Sequence, residues 1–280
     1  MNLKRKTNQL VDSASNGRIP IRAFDNAIPA ITRQIRQDAN SKWLDSWGQS
    51  LNFDEYEKAT IVDPKILSTI GRIANHPIRD GRSYHAGLMH TYGYLLSNLK
   101  TRYGFKRERW TNGLLESSFG LPKGMLSSSP VEGTLLQNVS YVMSQISFSK
   151  STTVFAKTAN AKTNPLLVPE SLAKIRFDRL PTTRISEVVT LPNTRQRLKI
   201  YMDIVKFKRS DPLESFMVYS TELRSTQQLI TCFPMSTAVG DELIVNAKKN
   251  ETLIRPRFNL SFPGFPVAGL KGKRTVSKRA

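Results

Sequence analysis

The chain has 280 residues, of which 39% are hydrophobic, so it can bury a core in one large domain or two smaller ones. Its 42 Lys and Arg residues outnumber its 22 Asp and Glu residues, which gives a formal net charge of +20. This surplus favours a polyanionic partner, because neutralised phosphates release their counterions. Nucleic acid is the expected partner, RNA ahead of DNA. The alternative is a protein whose charge serves no partner.

The composition also argues against several classes of protein. A single cysteine, Cys232, excludes an intramolecular disulfide and is typical of a cytoplasmic protein. The first residues, MNLKRKTNQL, lack the apolar stretch of a signal peptide. No apolar run reaches the ~20 residues that a membrane span requires. We therefore expect a cytoplasmic protein with no transmembrane segment, and the oligomeric state is left open.

Helices are predicted in the first half of the chain, after a mobile basic N-terminus at residues 1–18. Apolar residues recur at helical spacing at Ile28, Ile31, Ile35, Ala39, Trp43 and Trp47. Asp63 and Pro64 predict the start of a second helix, and Asn75-His76-Pro77 predicts its end. A third helix is predicted from Ser83 to Tyr103, with Gly87 and Gly93 as sites of close packing. Ser129, Pro130 and Glu132 form a capping-box pattern before a fourth helix.

The second half of the chain has the pattern of β-strands. Residues 150–164 are poor in large hydrophobic residues and read as a linker. Beyond it, residues 197–208, 216–221 and 229–233 predict strands, and short connections favour an antiparallel meander. We therefore predict an α+β fold, with a mainly helical domain at 19–150, an antiparallel β-rich domain at 165–255 and an extended basic tail at 256–280.

All three histidines lie within fifteen residues, at positions 76, 85 and 90. On a helix, five residues turn about 500°, so His85 and His90 would point about 140° apart, which disfavours a shared metal ion. We therefore expect neither a metal nor a cofactor. The remaining alternatives are ordinary structural histidines, or an acid and a base in a metal-independent ribonuclease. In that enzyme Arg79, Arg82 or Arg102 would be the cation that stabilises the phosphorane.

A second set of catalytic candidates lies among the predicted strands. Lys199 and Tyr201 share a strand face, and Glu222 and Arg224 stand at the end of another strand. Such a sheet is similar to the small ribonuclease toxins related to barnase, colicins and RelE, and this resemblance implies RNA cleavage by Glu, Lys, Arg or Tyr side chains. The alternative is a set of solvated strand residues.

The segment KTRYGFKRERW, from Lys100 to Trp110, is the candidate nucleic-acid surface. Its basic residues can follow phosphates while its aromatic residues stack on unpaired bases, although the aromatic residues can equally belong to the core. The residues assigned to nucleic-acid binding are Lys100, Arg102, Lys106, Arg107, Arg109 and Trp110.

The leading hypothesis is a basic nucleic-acid-binding protein. Its more specific form is a metal-independent ribonuclease of toxin or defence type. The rival is a non-catalytic structural or nucleoprotein-like component that packages nucleic acid. An enzyme for an unrelated small substrate stays open, because catalytic residues gathered from distant positions leave no local motif. Whether the chain is an enzyme is therefore undecided from its sequence.

Overall fold

The computed structural model describes residues 2–13, 17–41, 43–54, 56–76, 83–101, 104–108, 134–147, 180–191, 194–207, 214–249, 260–262, 265–266 and 272–279. It confirms the predicted α+β class, with helices in the N-terminal part and a mostly antiparallel sheet. Within these ranges, every helix is too short or too polar to cross a lipid bilayer.

The described helices are short and alternate with turns. They are α1 (Leu3–Asp12), α2 (Ile21–Ala27), α3 (Pro29–Ala39), α4 (Pro64–Ile73), α5 (Ala86–Leu88), α6 (Leu135–Ser147) and α7 (Thr237–Lys248). A 3-10 turn at Leu44–Ser46 follows α3, and a π-helical turn at Met89–Gly93 continues α5.

The described strands form three sheets. Their bounds are β1 (Gln49–Leu51), β2 (Ser83–His85), β3 (Lys100–Thr101), β4 (Gly104–Phe105), β5 (Thr182–Thr190), β6 (Arg197–Phe207), β7 (Glu214–Leu223), β8 (Thr226–Ser236), β9 (Leu260–Phe262), β10 (Phe265–Pro266) and β11 (Gly272–Arg279). The large sheet has the order β11-β5-β6-β7-β8, a smaller one has the order β10-β9-β1-β2, and β3 pairs with β4.

The large sheet confirms the predicted antiparallel meander. Thr190 pairs with Arg197, and Leu198 pairs with Leu223, so the β5–β6 and β7–β8 connections lie at the same end of the sheet. One face of the sheet packs against α7, where Ile244 and Ala247 join the strand residues in a hydrophobic cluster. This arrangement follows from the period-two pattern of the strands, which sends alternate side chains to opposite faces.

The opposite face is covered at one end by the N-terminal helices. Val205, Phe216 and Val218 belong to the same hydrophobic cluster as Trp43 and Trp47. The indole nitrogen of Trp47 also donates a hydrogen bond to Ser140 on α6, at 2.8 Å. The helical and β-rich parts therefore share a core, while the linker predicted at 150–164 lies outside the described residues.

One of the two predicted helix starts lies within the described residues and can be compared with the structure. Asp63 caps α4 by accepting a hydrogen bond from the backbone of Lys65 at 2.8 Å, and Pro64 is its first residue, as predicted. The pattern at 129–132 lies outside the described residues. The described start of α6 has a capping box formed by Thr134 and Gln137. The backbone N–H of each residue donates to the side-chain oxygen of the other, both at 3.1 Å.

The N-terminal segment that the sequence predicts to be mobile contains a helix. Residues 3–12 form α1, whose N-cap Asn2 accepts a hydrogen bond from the backbone of Arg5 at 3.1 Å. Leu10 is 3% exposed, and Leu3 and Val11 pack against the same core. These three apolar residues form a helical stripe between charged neighbours, which explains why this segment packs as a helix.

Two predicted helices are shorter than expected. The spacing from Ile28 to Trp47 suggested one helix, but α3 ends at Ala39 and a 3-10 turn precedes Trp47. The helix predicted from Ser83 to Tyr103 begins only after β2 and ends before β3. Its apolar stripe indicated burial correctly, since Tyr84 and Leu95 are buried. Its first residues are not helical, because Ser83–His85 pair with β1 as strand β2.

The C-terminal part is also more structured than a basic tail. Residues 272–279 form β11, an edge strand that pairs along β5 from Gly272 opposite Val189 to Arg279 opposite Thr182. Residues 260–262 and 265–266 are strands of the smaller sheet. Basic residues are common on edge strands because they oppose pairing with further chains, so the charge of this segment is compatible with a strand. The β-rich region also contains α7, which the sequence pattern did not predict.

Candidate functional site

Part of the large sheet presents polar side chains away from α7 and beyond the cover of the N-terminal helices. Its described members lie on β5, β6 and β7. We call this surface the open face and define it by Arg184, Ser186, Lys199, Tyr201 and Glu222. All five side chains retain solvent exposure, in contrast to the buried residues that alternate with them along the strands.

Glu222 is held by two donors from the neighbouring strand. Lys199 Nζ donates to Glu222 Oε1 at 2.7 Å, and the Tyr201 hydroxyl donates to Oε2 at 2.8 Å. Burial alone would raise the pKa of Glu222, but these two bonds outweigh it and the pKa lies below its ordinary value. Glu222 is therefore an ionised carboxylate with fixed orientation at neutral pH.

Arg184 is fixed by a carboxylate deeper in the sheet. Its Nε and Nη2 atoms donate to the two carboxylate oxygens of Asp203 at 2.7 and 2.8 Å, and Asp203 is 1% exposed. The guanidinium lies over the Tyr201 ring at 4.7 Å. This bidentate geometry holds a cation beside the Glu222 cluster with little freedom to turn.

Tyr201 connects these two groups. Burial and the bond to Glu222 raise its pKa, so its hydroxyl stays a neutral donor. Burial by itself lowers the pKa of Arg184, but the bond to Asp203 outweighs it and the pKa is raised. The cluster thus combines an ionised carboxylate, a neutral phenol and a charged guanidinium, with Lys199 bonded to the carboxylate.

Basic side chains gather at the adjoining end of the large sheet. Arg195 and Arg224 lie in the β5–β6 and β7–β8 connections, with positive φ angles of 54° and 48°, and both are exposed. Arg197 and Lys273 are exposed on β6 and β11, in line with the same end. We call these four residues the basic end.

The charge balance of this region is one-sided. Among the side chains that the structure describes on this face of the large sheet, the acids are Asp203 and Glu222. Asp203 is paired with Arg184 and Glu222 with Lys199. The four cations of the basic end therefore add to a surface whose described acids are already neutralised.

His85 has a structural role at the start of α5. Its Nδ1 accepts a hydrogen bond from the backbone of Leu88 at 3.3 Å, and its Nε2 lies 2.9 Å from the carbonyl of Leu44, to which it donates. Burial lowers its pKa to about 4, with a further contribution from His76. His85 is therefore a neutral capping residue whose two ring nitrogens are both occupied.

His90 is buried between the helical part and the large sheet, with 2% exposure. Its Nε2 lies 3.0 Å from the Ser50 hydroxyl, and its Nδ1 lies 3.0 Å from the Thr231 hydroxyl on β8. These contacts join β1, the π-helical turn and β8. Of the other catalytic candidates, Arg82 lies outside the described residues, whereas Glu222 and Arg224 both belong to the region described above.

The segment from Lys100 to Trp110 is only partly described. Lys106 is 8% exposed and forms an ion pair with Asp54 at 3.0 Å. Arg107 lies over the Phe105 ring at 4.1 Å and donates to the carbonyl of Ser97 at 3.2 Å. Lys100 is exposed on β3. Arg102, Arg109 and Trp110 lie outside the described residues.

A separate cleft of about 390 Å³ lies between α1, the start of α4 and residues 96–99. Its polar lining includes the carboxyl groups of Asp12 and Asp63 and the amides of Asn8 and Asn98. The last two bond to each other at 2.9 Å, and Asp63 caps α4. Carboxylates repel phosphates, so this cleft fits the expected partner less well than the open face.

Sequence reasoning found part of the open face. The alternation in β6 placed Lys199 and Tyr201 on one face, and Glu222 was noted on a second strand. Arg184 and Asp203 were missed because only the register of β5 against β6, which sets Arg184 opposite Asp203, brings them together.

Comparisons of the chain with protein-family models, with curated proteins and with solved structures found no match. In the described part of the chain, no three His, Cys, Asp or Glu side chains converge in a way that would hold a metal ion. The functional argument therefore rests on the geometry and charge of the open face and the basic end.

Proposed function

We propose that this protein binds nucleic acid, single-stranded RNA in particular, through the open face and the basic end of the large sheet. The observation that carries this proposal is the clustering of Arg195, Arg197, Arg224 and Lys273 beside a face whose described acids are paired with cations. A nucleic-acid backbone gains affinity from such a cluster because each neutralised phosphate releases counterions.

The open face adds features that suit an unpaired strand. A sheet surface is broad and flat, and single-stranded RNA binds such surfaces with its bases splayed out. The Arg184 guanidinium lies over the Tyr201 ring on this face, and guanidinium and aromatic groups are the side chains on which unpaired bases stack. Lys199 and Arg184, each ion-paired with a carboxylate, offer hydrogen-bond donors on either side of Tyr201.

The test is a charge-reversal variant of the basic end, with Arg195, Arg197, Arg224 and Lys273 changed to Glu. The matched control reverses four exposed cations of α1, α2 and α3, which are Lys4, Arg5, Arg22 and Arg33. Both variants lower the net charge equally, so a difference between them reports location rather than total charge. Binding to labelled single-stranded RNA is measured by fluorescence anisotropy at several salt concentrations.

We expect the basic-end variant to bind at least tenfold more weakly than the control variant. Its affinity should also depend less steeply on salt, by roughly 0.7 in the logarithmic slope for each lost phosphate contact on a single strand. Equal weakening in the two folded variants would contradict the assignment of the surface. No salt-dependent binding by the wild-type protein would contradict the proposed function itself.

The packaging alternative makes a different prediction about the bound RNA. A packaging protein binds at fixed stoichiometry along the strand and leaves it intact. A ribonuclease turns over many strands per protein molecule. Titration of RNA length against bound protein, together with analysis of the RNA after incubation, distinguishes the two.

A further inference from the structure

We propose that the open face cleaves RNA, with Glu222 as the general base that takes the proton of a 2′-hydroxyl. This inference rests on the proposed function, because the strand must first bind to the open face. It adds a reaction, a substrate requirement and named roles for Glu222, Lys199, Tyr201 and Arg184.

The first argument is the state of Glu222. A general base must be ionised and must lie within reach of solvent-borne substrate. Glu222 keeps a low pKa through its bonds to Lys199 and Tyr201, and its side chain is 16% exposed on the open face. It is therefore a fixed carboxylate with access to a bound strand.

The second argument is the position of the cations. Attack on a phosphodiester builds negative charge on the phosphorane oxygens, which fixed cations stabilise. Lys199 bonds directly to Glu222 at 2.7 Å, and Arg184 lies over the ring of Tyr201, whose hydroxyl bonds to the same carboxylate. Asp203 acts as a positioning residue, because its bidentate bond fixes the orientation of Arg184.

These groups support a balanced transesterification. The 2′-oxygen attacks phosphorus as its proton passes to Glu222, so the 2′-O–P bond forms and the bond from phosphorus to the 5′-oxygen breaks. The Lys199 ammonium gives a proton to the leaving 5′-oxygen. Glu222 then returns its proton to the Lys199 amine along their hydrogen bond, which restores the site. The products are a 2′,3′-cyclic phosphate and a 5′-hydroxyl.

The reaction requires a 2′-hydroxyl on the strand but no metal ion. A DNA oligonucleotide should therefore bind and stay intact, whereas the same oligonucleotide with a single ribonucleotide should be cut only after that residue. Both experiments are made with the full chain in the presence of EDTA. Products are identified by mass spectrometry, which separates a cyclic phosphate from a linear one.

Glu222→Gln tests the base while keeping the shape of the side chain. We expect the cleavage rate to fall at least 100-fold, with RNA affinity unchanged within about twofold. Glu242→Gln is the matched control, because Glu242 is an exposed carboxylate on α7, against the other face of the sheet. It should cleave at the wild-type rate.

Tyr201→Phe gives a second test of the role of Glu222, which does not require the Glu222→Gln variant to fold. It removes one hydrogen bond to the carboxylate and keeps the ring, so the acid limb of the pH–rate profile should move to higher pH. A purely structural tyrosine would change the stability of the protein and leave that limb in place.

The outcomes separate this inference from the proposed function. RNA that binds to the wild-type protein and stays intact would overturn the cleavage and leave RNA binding standing. Cleavage by Glu222→Gln at the wild-type rate would overturn the role of Glu222. RNA that does not bind would overturn both.

Discussion

Lys106 Nζ lies 3.0 Å from Asp54 Oδ2, and both side chains are about 10% exposed. The same ammonium lies 5.4 Å from the centre of the Tyr94 ring. Burial alone would raise the pKa of Asp54, but the ion pair with Lys106 outweighs it and the pKa is lowered. Lys106 therefore links the end of the β3–β4 hairpin to the loop that contains Asp54, and its charge is paired with a buried carboxylate of the same chain.

Lys106→Ala should therefore act on stability rather than on RNA binding. Removing one partner of a buried pair leaves the other charge uncompensated, so we expect a loss of about 3 kcal/mol in the free energy of unfolding. Lys100→Ala, at an exposed position of the same hairpin, should cost less than about 0.5 kcal/mol. Urea unfolding measures both. Equal effects of the two variants would show that the ion pair contributes little.

Asp38 and His85 have shifted pKa values that oppose each other. Burial raises the pKa of Asp38 from 3.8 to about 7, against the hydrogen bonds from Thr134 and Tyr92. Burial lowers the pKa of His85 from 6.5 to about 4. Between about pH 4 and 6.5, the folded state holds a proton on Asp38 that the unfolded state lacks, and the unfolded state holds one on His85 that the folded state lacks.

We expect single substitutions to expose each contribution. Asp38 contributes a stability that falls as pH rises, and Asp38→Asn removes this contribution. Relative to the wild type, the free energy of unfolding of this variant should therefore rise with pH across this window, by up to about 1.4 kcal/mol per pH unit. His85→Asn, which keeps a capping side chain, should change the slope in the opposite direction. Urea unfolding at pH 4.5, 5.5 and 6.5 measures the slopes. The double variant should have a slope close to that of the wild type. Parallel plots of unfolding free energy against pH for all four proteins would contradict the opposite contributions of Asp38 and His85.

Gly87 and Gly93 differ in what surrounds them. A Cβ atom at Gly87 would lie 2.7 Å from the ring of Trp47, a rigid side chain in the core. A Cβ atom at Gly93 would lie 2.8 Å from a terminal methyl group of Leu67, which can move. We expect Gly87→Ala to destabilise the protein by about 2 kcal/mol and Gly93→Ala by clearly less. Thermal unfolding of the two variants decides this, and equal effects would contradict it.

Arg184 and Asp203 should be strongly coupled. A double-mutant cycle with Arg184→Met and Asp203→Asn should give an interaction energy of about 2 kcal/mol, because Asp203 is buried and the bond is bidentate. The pair of Lys206 and Asp241, at 2.5 Å, whose carboxylate is exposed, is the comparison and should give less than about 1 kcal/mol. A coupling of similar size in both pairs would show that burial of Asp203 adds nothing.

Local signals in the sequence predicted a considerable part of this fold. Asp63 before Pro64 marked the start of α4, and the alternation from Leu198 to Ile204 marked β6. Both depend on residues close in the chain, through capping and through the two faces of a strand. The α+β class and the antiparallel meander followed from such signals and from the short connections between strands.

The tertiary structure decided which side chains meet. Lys106 forms an ion pair with Asp54, a residue remote in the sequence, and no local pattern indicated this contact. His85 and His90 were paired by their spacing, yet each is bound to residues remote in the chain. The cluster of Arg184, Tyr201 and Glu222 comes from three strands in a fixed register. Local patterns cannot encode such meetings, because long-range packing and strand register determine them.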